Sequence, residues 1–532
     1  MKRLITLLIA GLSSATMAMA QEPVNVVGNM RIADGATMVS KGEMRIGIST
    51  ANGHITNEGT LKLPKGITFV SDDVTDGTLL NNGTVDFTGA SQSEVKVIKS
   101  FGSSALFYTV SFPFDVKVSE IVGDGGLYEL EVDYYLGYYD SQSRANDGFI
   151  GTQDRNWKWI VPADVDYVLE KNKAYMVYTN SPMRLVFPAH TSTSLASIYA
   201  SKDKTVPLTY YKPIDSPAPP SQWGWNFIGN LNTTNFLMGS DHLKDGSDDY
   251  YETSIYKLGL DGQWTFIDPV DNNTTMAPYA GAFTQTPFET NLTFLSTGRH
   301  QSAAYQFRSE EAKPFYSNYL KLSLANENDS QFSDWLQVIV EDRYEKEFEI
   351  GKDAVKMFSF SKTIPDFYTM TIDETSLVSH KTDFSENEIS LGLNVKEDGN
   401  YSIELEKLTG FEDRNILLVD KKENKVVDLS TGFYSFYAQI GNDKDRFALR
   451  FTTDFTSIDT PASSIVVYTE NSDVIIDNIS IGDNIEIYNV SGVLLKNGVA
   501  TSEKVSYTLP EKGVYIVNVN GATSFAVKVM LK

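Results

Sequence analysis

Apolar residues in this chain recur at every second position over runs of about five to eight residues, and each run stops at Gly, Asn, Asp or Pro. Tyr401-Ser-Ile403-Glu-Leu405, Tyr515-Ile-Val517-Asn-Val519 and Phe525-Ala-Val527-Lys-Val529 show the pattern. Successive side chains of a strand point to opposite faces, so such runs bury one face and wet the other. A surface helix needs apolar residues three and four apart, and that spacing is scarce here. The aromatic residues, 28 Tyr and 29 Phe, sit on the same short runs and favour strands. The pattern predicts an all-β chain, and 532 residues predict several domains.

The sequence has no cysteine, so no disulfide staples these domains and no thiolate serves as nucleophile or metal ligand. Each domain must stand on its own apolar core. At the N-terminus, Lys2 and Arg3 precede an apolar stretch from Leu4 to Leu12, and Ala18-Met19-Ala20 has the small-x-small form of a signal-peptidase site. Residues 1–20 therefore read as a signal peptide, with cleavage after Ala20 leaving Gln21 first. Lipid attachment there would need a cysteine. No later run approaches the roughly 18 apolar residues that span a bilayer, so no transmembrane segment is expected in the mature chain. The formal charge of −24, from 69 acidic against 45 basic residues, repels phosphate backbones, and nucleic acid is not an expected partner.

Residues 21–95 carry a glycine-turn repeat: Gly42-Glu-Met44-Arg-Ile46, Gly59-Thr-Leu61-Lys-Leu63 and Gly83-Thr-Val85-Asp-Phe87. Turns followed by alternating apolar residues, recurring roughly every 15 to 25 residues, predict β-solenoid rungs or a small meander. Residues 96–300 contain two passages of parallel layout. One runs from Ser111-Phe-Pro-Phe-Asp115 through Tyr134-Tyr-Leu-Gly-Tyr-Tyr139 and Trp157-Lys-Trp159 to Ala174-Tyr-Met-Val-Tyr178 and Leu185-Val-Phe187. The other runs from Trp223-Gly-Trp-Asn-Phe-Ile-Gly-Asn230 through Ser254-Ile-Tyr256 and Gln263-Trp-Thr-Phe266 to Gly281-Ala-Phe283 and Leu292-Thr-Phe294. This layout predicts a β-sandwich of two related halves. A second sandwich is expected over 312–453, with Trp335-Leu-Gln-Val-Ile-Val340 in its core, then a Thr/Ser/Asp/Pro linker over 454–464 and a final domain over 465–532.

The aromatic phrases of the two halves resemble those of large surface proteins of Bacteroidetes. The closing phrases Asn415-Ile-Leu-Leu-Val-Asp420 and Arg446-Phe-Ala-Leu-Arg-Phe451 resemble the domain that precedes the sorting signal in that group. Ile485-Glu-Ile-Tyr-Asn-Val-Ser-Gly492, Leu509-Pro-Glu-Lys-Gly-Val-Tyr515 and Ala526-Val-Lys-Val-Met-Leu-Lys532 are similar in order and spacing to the C-terminal sorting domain (type A) of the type IX secretion system. That resemblance implies an Ig-like sandwich recognised by the outer-membrane translocon and a surface sortase. Asn489, Ser491 and Gly492 mark one turn, Leu509, Pro510 and Gly513 another, and Tyr515 and Lys528 lie on the closing strands. It implies a protein outside the cell or on its outer-membrane surface, reached through the periplasm.

Catalytic groups are hard to assemble from this sequence. His54, His190, His242, His300 and His380 are scattered without a metal-ligand spacing, and there is no G-x-S-x-G, P-loop or G-x-G-x-x-G phrase. Paired carboxylates suffice for glycoside hydrolysis, but none is distinguished by its context. Asp245-Gly-Ser-Asp-Asp249 offers oxygen ligands of the kind calcium takes without matching an EF-hand, and no other cofactor is expected. Tyr134, Tyr135, Tyr138, Tyr139, Trp157 and Trp159 offer a surface for stacking on sugar rings or on a protein, although alternation sends about half of them to a core. The chain reads as an adhesin-like binding protein with a glycan or a host or community protein as ligand. The alternative is a secreted glycan-degrading enzyme or its accessory subunit.

Overall fold

Short strands separated by tight corners wind residues 16 to 101 into a three-sided solenoid in the computed structural model, which describes residues 16–19, 23–48, 51–71, 76–102, 106–147, 156–164, 166–190, 195–198, 202–213, 218–246, 254–259, 261–267, 274–301, 316–385, 388–411, 414–452, 465–470, 473–510, 512–521 and 524–531. One side stacks Thr16–Met19, Thr37–Ser40, Thr60–Lys62 and Thr84–Asp86; the second stacks Val24–Val26, Met44–Ile46, Ile67–Ser71 and Val95–Phe101; the third stacks Gly28–Ile32, Gly53–Asn57 and Gly77–Asn81. Every contact between rungs is parallel. Met44, Ile46, Ile55, Leu61, Ile67 and Phe69 fill the interior. Asn57 donates to Asn81 Oδ1 at 2.7 Å, so a polar ladder also ties rung to rung. At one corner Gly28, Gly53 and Gly77 stack in register. A Cβ on Gly77 would lie 2.1 Å from the Ile46 carbonyl oxygen, which leaves room only for glycine.

The three repeat phrases do not share one side of this solenoid. Those starting at Gly59 and Gly83 lie on the first side, whereas Met44–Ile46 lies on the second, under Ile67–Ser71. The strand beneath Thr60–Lys62 is Thr37–Ser40. Corners of unequal length shift the phase, and all three sides carry the same inward alternation, so spacing alone does not tell one side from another.

Val95–Phe101 is both a rung and a sandwich strand. It lies parallel to Ile67–Ser71 on one edge and antiparallel to Met183–Pro188 on the other. One six-stranded sheet therefore crosses residue 95, and a single core runs from Val24 through Phe112 and Phe187 to Tyr279.

The two halves share the strand order of their four-stranded sheets and the pairing behind them. In the first, Leu106–Ser111, Ala174–Thr179, Tyr134–Tyr139 and Trp157–Ile160 lie side by side in that order; in the second, Trp225–Gly229, Gly281–Gln285, Ile255–Leu258 and Trp264–Ile267 do. Behind the first, Met183–Pro188 joins Val95–Phe101 and Val122–Gly123; behind the second, Thr290–Phe294 joins Lys204–Leu208 and Leu243–Lys244. Each half is thus a small two-sheet sandwich, and the second has its own core around Ile228, Phe236, Leu243, Ile255, Leu292 and Phe294.

The chain divides into two units, Met1–Ala312 with Glu349–Ala354, and Lys313–Phe348 with Val355–Lys532. In the second unit ten strands follow one hydrogen-bonded path from Lys425–Asp428 at one edge to Tyr434–Ala438 at the other, folded around Leu322, Val338, Phe367, Leu391, Ile403 and Phe447. Inside it Arg446 forks onto Asp420, with Nη2 to Oδ2 at 2.8 Å, and the Tyr434 hydroxyl donates to the same oxygen at 2.9 Å. Burial pushes the Asp420 carboxyl up, but Arg446, the Glu423 amide and Tyr434 together hold it below the ordinary carboxylate range. The C-terminal segment is an Ig-like sandwich of Val466–Glu470, Asp473–Asp477 and Lys504–Thr508 against Leu494–Val499, Asn484–Asn489, Gly513–Asn520 and Ser524–Leu531. The expected linker at 454–464 lies outside the described residues.

Candidate functional site

The four-stranded sheets of the two halves meet through their outer faces, and residue size decides how far they overlap. On the first sheet one face carries Phe107, Thr109 and Ser111, then Tyr178, Met176 and Ala174, then Tyr135, Gly137 and Tyr139, then Trp159 and Trp157. At the small end the backbones come close: a Cβ on Gly281 would lie 2.4 Å from the Ala174 Cβ, and one on Gly229 2.4 Å from the Ser111 Cβ. The Ser111 amide donates to the Tyr279 carbonyl at 3.0 Å and its hydroxyl to the Ala280 carbonyl at 2.8 Å.

Beside this contact the aromatic rings interlock. Tyr139 and Phe283 are 4.6 Å apart edge to face, Trp157 and Phe227 5.3 Å, and Phe227 and Phe283 stack at 4.4 Å. Each such pair contributes about 0.5–1.5 kcal/mol beyond the area it buries. The Arg144 guanidinium lies 4.0 Å from the centre of the Trp225 ring and donates to Gln222 Oε1 at 3.0 Å and the Tyr139 hydroxyl at 2.8 Å. The ring and these two acceptors compensate a cation that is almost fully buried.

The other end of the same face carries a second aromatic group. Phe107 and Tyr178 are 5.0 Å apart, Tyr135 and Tyr178 5.9 Å, Tyr135 and Trp159 6.1 Å, and Phe107 and Trp159 6.5 Å. Gly137 stands directly opposite Trp159 in the ladder, and a Cβ there would lie 2.9 Å from the indole ring. The missing side chain lets the indole lie down on the sheet beside Tyr135. Trp159 is 38% exposed, and Phe107, Tyr135 and Tyr178 are half-buried, so the four rings form a solvent-facing apolar patch. A patch of this kind accepts the apolar C–H face of a sugar ring or a flat partner side chain, while the tyrosine hydroxyls supply hydrogen bonds.

The six aromatic residues singled out in the sequence therefore divide. Tyr134 is buried, and burial pushes its hydroxyl up to about 12. Tyr138 stacks on Tyr167 at 5.6 Å. Tyr139 and Trp157 lock the two sheets together, and Tyr135 and Trp159 face solvent. Phe107 and Tyr178, which complete the patch, are visible as aromatic strand residues, but only the pairing of Phe107 with Tyr178 and of Tyr178 with Tyr135 brings them to it.

The other sequence candidates stay apart. His54 meets Thr78, His190 meets Glu120 and His242 meets Thr297, three separate places, and burial lowers His380 to about 4. Asp334 and Asp366 approach each other, but both are buried and each is paired with a lysine, Lys356 and Lys396. Of the calcium loop, Ser247, Asp248 and Asp249 lie outside the described residues, and among the described residues no three acids or histidines gather. Ala18 lies in the strand Thr16–Met19 opposite Val39, while Ala20 and Gln21 lie outside the described residues.

In the C-terminal sandwich Asn489 Oδ1 accepts from the amides of Ser491 at 3.0 Å and Val493 at 2.9 Å, and Gly492 takes a φ of +76°, closing the turn. Leu509 and Tyr515 are core residues and Pro510 is exposed. Lys528 points to solvent opposite Ile516, while Val527 and Val529 pack on the core; the Phe525 side chain lies outside the described residues. The register puts Asn489 beside Tyr515 and Gly513 beside Leu531, at one end of the sheet.

Residues 244–451 match a domain of unknown function, DUF8693, and residues 452–531 match another, DUF6383. No curated protein matches the chain. Solved structures with some likeness include PorZ, described as an essential bacterial surface component of the type IX secretion system of Porphyromonas gingivalis, at 15% identity and a TM-score of 0.12. The match covers 26% of this chain and 28% of PorZ. A biofilm-associated protein, BSP domain, is 12% identical with a TM-score of 0.13, covering 81% of this chain and 96% of its own. At TM-scores this low neither likeness says what this chain does.

Proposed function

We propose that this chain is an exported cell-surface or secreted binding protein that holds a glycan on the patch of Trp159, Tyr135, Tyr178 and Phe107, and that it does not catalyse a reaction. The observation that carries this reading is the indole of Trp159, laid flat over Gly137 and left 38% exposed at the uncovered end of a sheet whose other end is sealed. Exposed aromatic rings on a rigid sheet bind with little loss of side-chain freedom, which favours recognition of a flat ligand. The acidic pair that glycoside hydrolysis would need finds no support in Asp334 and Asp366, which lie buried against lysines. No cofactor is required.

A glycan array probed with the full chain tests the ligand. Trp159→Ala and Tyr135→Ala are expected to weaken binding at least tenfold while leaving thermal unfolding within a few degrees of the parent. Binding that survives both substitutions places the ligand elsewhere.

Export by a type IX system, with the translocon and a surface sortase as partners, belongs to the same reading. It rests on the resemblance of residues 465–532 to a sorting domain and on the Ig-like sandwich they form. Deleting the residues from Ile465 onward and fractionating the cells is expected to leave the protein in the periplasm. Unchanged surface display overturns the sorting role without touching the glycan site.

A further inference from the structure

Where the second half meets the solenoid, a cavity of about 10 Å³ is lined by Leu79, Asn81, Ile198, Lys204, Asn232, Thr233, Thr234 and Arg299. The junction is tight: the Leu79 amide donates to the Thr233 carbonyl at 3.0 Å, and the Thr233 hydroxyl returns a bond to the Leu79 carbonyl at 2.9 Å. Lys204 Nζ donates to the carbonyls of Ile198 at 3.0 Å and Leu231 at 2.6 Å, which leaves it N–H capacity to spare. Arg299 spans the rim, with Nη1 to the Asn81 carbonyl at 2.9 Å and Nη2 to Asn82 Oδ1 at 3.1 Å, and it too has N–H groups left over. Asn232 and Thr234 are 3% and 1% exposed, and Asn232 Nδ2 and Thr234 Oγ1 have no protein partner.

Two cations and two unpartnered polar groups thus line one small space. Asp203, whose charge acts on Arg299, accepts from the Ser296 amide at 2.6 Å and is not part of the lining. Burial, with the Arg299 charge beside it, brings Lys204 down to about 7, so at neutral pH its charge is held at a cost. A single guest with negative charge relieves the repulsion between the cations and gives Asn232 and Thr234 a partner.

We propose that this cavity is a binding site for one monovalent anion of halide size, chloride in water, held by Lys204, Arg299, Asn232 and Thr234. The volume suits one water-sized or halide-sized guest. The net charge of −24 opposes anions at long range, so selection comes from the local donors. Because the site closes the joint between solenoid and second half, its occupant stabilises the folded chain by mass action.

The test replaces chloride with gluconate at constant ionic strength and follows thermal unfolding of the full chain, together with crystals soaked in bromide. Chloride is expected to raise the unfolding midpoint by a few degrees with saturation, gluconate to do nothing, and an anomalous bromide peak to appear between Lys204 and Arg299. Lys204→Met is expected to lower the apparent chloride affinity at least tenfold. If that variant does not fold, the bromide peak in the parent protein still decides. No bromide peak, with equal midpoints in chloride and gluconate, means that the cavity holds water and overturns the proposal.

Discussion

Trp157 and Trp159 lie two residues apart on the same face of one strand, yet Trp157 is locked among Tyr139, Phe227 and Phe283 while Trp159 faces solvent. Removing a large aromatic side chain from a packed site costs about 3–5 kcal/mol. Trp157 is half-buried, so Trp157→Ala is expected to lower stability by about 2–3 kcal/mol, and Trp159→Ala by less than about 1 kcal/mol, in urea unfolding followed by circular dichroism. Equal losses would mean that both rings are core. His380 supplies a second residue-level expectation. Its ring is fully buried and its pKa lowered from the ordinary 6.5 to about 4, because burial disfavours the charged form. The unfolded chain takes up the proton first as pH falls. The stability that neutral His380 contributes is thus complete above about pH 6.5 and is lost progressively toward pH 4, by about 3 kcal/mol in all. Urea midpoints between pH 7.5 and 4.5 should fall more steeply in the parent chain than in His380→Leu, where His54 and His242, also lowered by burial, still contribute. A parallel fall in both would assign the effect to other groups.

At the scale of elements, the solenoid depends on corners that admit no side chain. Gly77→Val places methyl groups against the Ile46 carbonyl and is expected to destabilise the first unit by several kcal/mol, whereas Gly35→Ala, with open space around its Cβ and only a left-handed φ of +75° to satisfy, should cost about 1 kcal/mol. Thermal unfolding of the two variants checks the contrast. Strand content and sandwich architecture could be read from the sequence because alternation reports which residues of a strand are buried, as Tyr515, Val517 and Val519, buried between an exposed Ile516 and a half-buried Asn518, show. Other features needed register. The phase of the solenoid repeat depended on corner lengths, so the Gly42 phrase fell on a different side from the other two. The aromatic patch needed Phe107 to stand beside Tyr178 and Gly137 opposite Trp159, and such neighbours are set by pairing between strands distant in sequence. The small cavity was invisible for the same reason: Lys204, Asn232 and Arg299 share no phrase.

At the scale of the molecule, the sheet that passes from solenoid to sandwich makes the solenoid and the first half one cooperative body. A chain lacking residues 23–94 would bare one edge of Val95–Phe101 and open the core that Val95, Val97 and Phe101 share with Ile67 and Phe69. It is expected to aggregate or to bind a hydrophobic dye strongly, as size-exclusion chromatography and dye fluorescence would report; a monomeric, cooperatively melting product would show that the sandwich halves stand alone. The same sheet has a mechanical consequence. Where a peptide linker would make a swivel, hydrogen bonds along both edges of Val95–Phe101 make a splice. Turning the aromatic patch relative to the solenoid axis would require several backbone bonds to break together rather than a few dihedral angles to rotate. The solenoid therefore acts as a rigid spar, and whatever orients it also aims the face that carries Trp159.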